Sequence, residues 1–300
     1  MVRVENPRPE IAKEPLRTQF FQWFQHAGLV EGVPIQNTDH IREITPDDLE
    51  DLFSFGIAPY FDSFPPLLND QFIIAVAAKA FELQRYERKA SKKLYVRHVL
   101  AVLGELWKSA IEPYLELGDI QSARILIMGA FLHDTVELQR KYHIDYTLKN
   151  LRGSLTEIDQ ETEPISTRVE EIDRLTRITE EFTPHETPSH IRDRALWLLA
   201  KLEPFEAKLH LNIGINTHPF LLIEAADICA NIYETITDFN LELDGGMDRP
   251  LSDRLFVFRR RIEMYLMKFP NGLMSRQLIV AYDSVRRLEA AIASDYQAQS

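Results

Sequence analysis

A single cysteine, Cys229, stands among the 300 residues. No intramolecular disulfide can brace the fold, and a reducing compartment is expected. Basic charge is also short: 34 Lys and Arg face 46 Asp and Glu, a formal net charge of -12 at pH 7. Nucleic-acid and anionic-membrane surfaces rely on basic patches, so neither is an expected partner. No apolar run approaches the roughly 20 residues of a membrane span. The opening stretch from Met1 to Pro9 has no apolar core of a secretory signal. Strand-like alternation, internal repeats and low-complexity tracts are missing as well. What is present is ordinary for a globular protein, with 45% hydrophobic and 27% charged residues. The length suffices for one large domain or two small ones. A soluble, cytoplasmic protein is the expectation.

Helical periodicity dominates, so the expected fold class is all-α. Residues 1–68 read as an N-terminal helical extension, interrupted by Pro34, Pro46, Pro59, Pro65 and Pro66. Thr45-Pro46-Asp47-Asp48 inside it has the hydroxyl, proline and acids of a helix start. Residues 69–300 read as the main domain. Its expected helices begin after Asp70, near Leu94, at Ile120 (running to about Tyr142), at Ile191 (to Lys201), at Phe220 and at Ser275. Residues 150–190 are polar and acidic and predict shorter helices. Thr183 to Pro188 reads as a loop, and Asp244-Gly245-Gly246 as a turn.

The most informative stretch is Leu132-His133-Asp134-Thr135-Val136-Glu137, an adjacent His-Asp pair closing an apolar run, with a carboxylate three residues on. On a helix Glu137 shares a face with His133 and Asp134. His98 upstream and Asp227 downstream complete the pattern H…HD…D. Each of the four sits in an apolar helical context, where an imidazole or carboxylate is costly unless paired or metal-bound. Two imidazoles and two carboxylates suit Mn²⁺, Fe²⁺ or Zn²⁺ better than Mg²⁺ or Ca²⁺, which prefer oxygen-only shells. The alternative is a pair of satisfied core histidines, with Asp227 as an N-cap or salt-bridge partner and Glu137 as a solvated helix residue. From Arg85 to Arg97 six basic residues accompany one acid, Glu87. That reversal of sign could hold substrate phosphates, or serve only as a solubilising loop.

Three segments carry a family resemblance. Leu94 to Leu100, with His98, is similar to P-Y-I-x-H-P-L; Leu132 to Glu137 to L-H-D-x-V-E-D; and Ile223 to Asn231, with Asp227, to L-x-K-L-A-D-R-L-x-N. On these motifs the chain from about Asp70 onward resembles the HD-domain metal-dependent phosphohydrolases. Within them it resembles the RelA/SpoT-type hydrolases, which remove the 3′-pyrophosphate of the alarmone (p)ppGpp. The resemblance implies an HD-domain helical bundle. It also implies a divalent metal, most simply Mn²⁺, on His98, His133, Asp134 and Asp227. Glu137 would assist the attacking water, Arg88 or Lys89 would bind the nucleotide, and Asn231 would sit near the nucleoside. The implied partner is a small nucleotide substrate.

The sequence also departs from the pattern. The family's second acid is Leu138 here, and leucine cannot take or hold a proton. The interval from His98 to His133 is long, suggesting an insertion near Glu112 to Gly118. A plain H…HD…D pattern with one following Glu also resembles the HD 5′-nucleotidases, which act on nucleoside monophosphates. A degenerate hydrolase that binds a nucleotide or a protein partner without turnover is the third reading, and the N-terminal extension would suit such a protein partner. No synthetase-like segment follows.

Overall fold

Apolar helices enclose the centre of the molecule, and helices of mixed character wrap them. The computed structural model describes residues 70–84, 95–141, 146–162, 168–183, 193–211, 219–237 and 251–299, together with Thr18, Glu50, Ser54 and Ala58. The expected extension (1–68), the basic stretch before Leu94, the loop after Thr183 and the turn at Asp244 therefore lie almost wholly outside the described residues. Every regular element among those residues is helical, as the all-α reading requires.

In chain order the helices are α1 (Gln71–Leu83), α2 (Val96–Leu106), α3 (Glu112–Glu116), α4 (Ile120–Leu132) and α5 (Thr135–Lys141). They continue with α6 (Leu148–Glu161), α7 (Arg168–Phe182), α8 (Arg194–Leu211), α9 (Pro219–Thr237), α10 (Leu251–Lys268) and α11 (Ser275–Gln299). A π-helical turn, Trp107–Ile111, joins α2 to α3. The segment expected to be an insertion is thus a continuation of α2 that ends at Gly118. Gly118 adopts φ +76°, a left-handed conformation that glycine supplies without steric cost.

Side-chain caps fix where several helices start. The Asp70 carboxylate accepts from the Ile73 N–H at 3.3 Å, and Asp119 accepts from Ser122 N–H at 3.0 Å. Thr147 and Asn150 form a reciprocal capping box at α6. Two boundaries differ from the sequence expectation. The single helix expected from Ile120 to Tyr142 is two, α4 and α5, separated at His133 and Asp134. The helix expected to span Ile191 to Lys201 starts at Arg194 and runs through Pro204 to Leu211. Pro204 offers no N–H to the preceding turn. In that turn the Lys201 carbonyl accepts from the Arg261 guanidinium of α10 at 2.7 Å.

Helix α4 is the hub, packed by α1, α2, α3, α7 and α9. Its residues from Ile125 to Leu132 are all buried, the all-round apolarity of a central helix rather than a surface one. An ion network fastens its start. Arg124 makes a two-pronged bond to Glu171 (2.9 and 3.0 Å) and an ion pair with Asp70, while Arg168 pairs with Asp159 at 3.4 Å. The Arg168 guanidinium also lies 4.3 Å over the Phe72 ring. These contacts tie α1, α4, α6 and α7 together.

Gly129 marks the closest approach of α4 to α9. A Cβ placed there would lie 2.7 Å from Cδ1 of Ile223, which is fully buried. Ile223→Val removes that methyl, and alone it should cost about 0.5–1.5 kcal/mol as a cavity. In a Gly129→Ala background the same change relieves the clash, so it should cost less or stabilise. Urea denaturation of the double-mutant cycle measures this, and strictly additive effects would contradict the close approach.

Candidate metal centre

The sequence scatters His98, His133, Asp134 and Asp227 over 130 positions, and the fold gathers them where α2, the end of α4 and the middle of α9 meet. One ligand atom from each lies within 4.8 Å of all the others. Two donors on opposite sides of one ion at about 2.1 Å stand about 4.2 Å apart, so the spread is of the right size for one metal.

The break between α4 and α5 places the His-Asp pair. It is made by a side chain from elsewhere in the sequence, Gln84, fully buried at the end of α1. The Gln84 amide donates to the Phe131 carbonyl at 2.6 Å and to the Thr135 hydroxyl at 3.1 Å. Gln139 of α5 donates back to the Leu83 carbonyl. The chain restarts as a helix at once, because Leu138 N–H donates to the Asp134 carbonyl at 2.9 Å.

His133 is fully buried, and its Nδ1 lies 2.8 Å from the Ala130 carbonyl. A carbonyl only accepts, so Nδ1 carries the proton and Nε2 is the atom left for a ligand. Nε2 faces Asp134 Oδ2 (3.1 Å) and Asp227 Oδ1 (3.9 Å), and pairs with them when the ring is protonated. Asp227 lies well inside α9, so it is no N-cap, though it does pair with His98 as the salt-bridge alternative expects. His98 is nearly as buried, with Nε2 2.9 Å from Asp227 Oδ1 and 3.9 Å from Asp134 Oδ2.

Both carboxylates are held from outside the cluster. Tyr95 donates its hydroxyl to Asp134 Oδ2 at 2.5 Å, and Asn231 donates its amide to Asp227 Oδ1 at 2.6 Å and to the Asp227 carbonyl at 3.0 Å. The Phe182 ring meets the His133 ring edge-on at 5.3 Å and excludes water on that side. Burial works against a charged His133 imidazolium, but Asp134 and Asp227 outweigh it and raise its pKa to about 9. Burial likewise opposes ionised Asp134. The two histidines and the Tyr95 hydroxyl overcome that, holding its carboxyl well below the usual range. Two anionic and two neutral donors would balance a divalent ion's charge, and the inward-facing Nε2 of His133 fits a metal ligand.

The other expected site residues fall differently. Glu137 lies in the first turn of α5, half-buried, and is not one of the four clustered groups. Asn231 is turned onto Asp227. Arg88 and Lys89 lie outside the described residues. Leu138 is 3% exposed and belongs to the hydrophobic core. Tyr95 and Gln84 escaped the sequence reading. Tyr95 stands one helical turn before His98, a spacing that could have flagged it, whereas nothing local marks Gln84. No family model matches the chain, and neither a curated protein nor a solved structure matches it.

Two outcomes are expected. An incoming ion must displace the proton that His133 holds up to about pH 9. Calorimetric Mn²⁺ affinity should therefore rise by up to about tenfold per pH unit between pH 6.5 and 8. A pH-independent affinity would exclude His133 as a ligand. Leu138→Asp should lose at least the about 2–5 kcal/mol of an emptied leucine site, with carboxylate desolvation added. Leu138→Met should stay within about 1.5 kcal/mol of wild type. A stable Leu138→Asp protein in urea denaturation would refute the core assignment.

Proposed function

We propose that the protein is a metal-dependent phosphohydrolase with an HD-type helical bundle, acting on a nucleotide. The observation that carries this reading is the buried Nε2 of His133, turned inward with donor atoms of His98, Asp134 and Asp227 gathered around it. Mn²⁺ is the ion this donor set suits best, with Fe²⁺ and Zn²⁺ as alternatives. A divalent ion supplies Lewis acidity there, polarising a phosphoryl oxygen and making water a stronger acid.

The protein's own groups have separable tasks. His133 and His98 present nitrogen donors, while Asp134 and Asp227 supply the compensating negative charge. Tyr95 and Asn231 keep the two carboxylates from rotating, which preserves ligand geometry between turnovers. Glu137, on the turn after Asp134, takes the proton of the attacking water. Arg88 or Lys89 binds the phosphates, an assignment that rests on the motif resemblance. The nucleoside contact that the resemblance gives Asn231 would fall to its amide oxygen, since its NH2 is held by Asp227. A (p)ppGpp-like pyrophosphate is the leading substrate class, and a nucleoside monophosphate is the alternative. The burial of Leu138 in the core favours a further reading, a nucleotide-binding protein without turnover, since no second acid stands at that position.

Phosphate and pyrophosphate release from ppGpp, GTP and the common monophosphates, with Mn²⁺ added, tests the proposal. One nucleotide should turn over, and His133→Ala should lower its rate by at least about 10³-fold, the several kcal/mol a Lewis acid contributes. Pyrophosphate as product identifies the alarmone-like substrate, and orthophosphate the monophosphate. Metal bound with no turnover of any substrate would refute the hydrolase in favour of the binding protein.

A further inference from the structure

The two histidines of the centre are oriented alike. Each turns Nε2 inward toward Asp134 and Asp227. For His133 the outward nitrogen, Nδ1, is held by the Ala130 carbonyl. For His98 the corresponding Nδ1 is buried in the helix interface and makes no hydrogen bond, and the carboxylate Oε2 of Glu234 stands at ion-pair distance, 3.3 Å from it. Glu234 lies seven residues after Asp227 and three after Asn231 on α9. The three therefore share one face of that helix, the face packed along α2.

We infer that Glu234 is a positioning residue of the metal centre, holding Nδ1–H of His98 so that Nε2 is presented to a divalent ion. The inference rests on the metal-centre reading above and adds a fifth side chain to it. A ligating imidazole needs its second nitrogen satisfied. Donation to a carboxylate fixes the ring against rotation and makes the inward nitrogen more basic. With Glu234 in this role all four donors have an outer partner: Glu234 for His98, Ala130 for His133, Tyr95 for Asp134 and Asn231 for Asp227. One helix, α9, then supplies a ligand and the orienters of two ligands. Its distance from α2 becomes a determinant of affinity. Glu234 is 23% exposed at its side chain, so it can be altered without opening the core.

Mn²⁺ binding by the full-length protein, with the thermal midpoint of the metal-free form, separates this role from a structural or purely electrostatic one. Glu234→Ala should weaken Mn²⁺ about 10–100-fold without lowering that midpoint. Glu234→Asp keeps the charge but draws the acceptor back by one methylene, and should lose about tenfold or more. Glu234→Gln loses the charge but keeps an acceptor oxygen in place, and should stay within about threefold of wild type. The reverse ranking, Asp retained and Gln lost, would overturn positioning in favour of bulk charge. Equal affinity in all three variants would overturn any role for Glu234 while leaving the metal centre standing. Wild-type protein that binds no Mn²⁺, Zn²⁺ or Fe²⁺ would remove the metal centre itself, and this inference with it.

Discussion

The hydrogen bond from His133 Nδ1 to the Ala130 carbonyl, 2.8 Å long, is the contact on which the site's chemistry depends. It commits one nitrogen of a fully buried imidazole and directs the other at two carboxylates. The geometry is local, since acceptor and donor are three residues apart. His133 keeps helical backbone angles (φ -51°, ψ -45°) just past the last residue of α4. The stop is imposed from outside, by the buried Gln84 amide on the Phe131 carbonyl and the Thr135 hydroxyl. A helix continuing through His133 would carry the ring with the regular twist and would not leave the pair at a turn.

Assembling this centre without an ion is expensive. Two carboxylates and two imidazoles converge in an apolar junction, and each charge there loses most of its hydration. Protonated His133 is the apo-state remedy, since its positive charge compensates the acids. A divalent ion does the same with greater charge, and any ligand that binds only the folded state stabilises it by mass action. The surrounding architecture tolerates the cost. Helices α1, α4 and α9 bury long apolar runs, and the Arg124, Glu171 and Arg168 network ties the neighbouring helices at a distance from the cluster.

Much of this was legible in the sequence. The apolar runs after Asp70, Ile120 and Pro219 marked their helices by composition and periodicity alone, while the capping role of Asp70 emerged only in the fold. The four clustered residues were legible because each interrupts an apolar stretch with a group that dislikes burial. The break at His133 was not legible, because nothing in Leu132 to Glu137 disfavours a continuous helix and the agent, Gln84, is 47 residues from its acceptor. The passage of α8 through Pro204 was hidden for a similar reason: a proline argues locally for a stop, and the Arg261 contact to the opened turn is a tertiary fact. Leu138 was read as a missing acid. The fold supplies the complementary physical statement, that its position faces the core.

Charge balance bears on what such a site could accept. Asp134 and Asp227 together neutralise a divalent ion, so the loaded centre offers no surplus positive charge to a phosphate in a protein of net charge -12. Cations must therefore come from beyond the ligands. Among the described residues, Arg261, Lys208 and Lys201 all act on the carboxylate of Glu224, one turn before Asp227 on α9. Arg261 is already engaged, 2.5 Å from Glu224. Lys208 is tied to Glu181 at 3.0 Å and lies over the Phe220 ring at 4.3 Å. These cations serve mainly to keep the buried acid of Glu224 in place. The densest run of basic residues in the sequence, Arg85 to Arg97, leads into the helix carrying His98. Under the proposed hydrolase reading, that run is where a phosphate-bearing substrate would find its counter-charge. It would then stand next in sequence to His98, the cluster residue on α2, the helix that packs along α9.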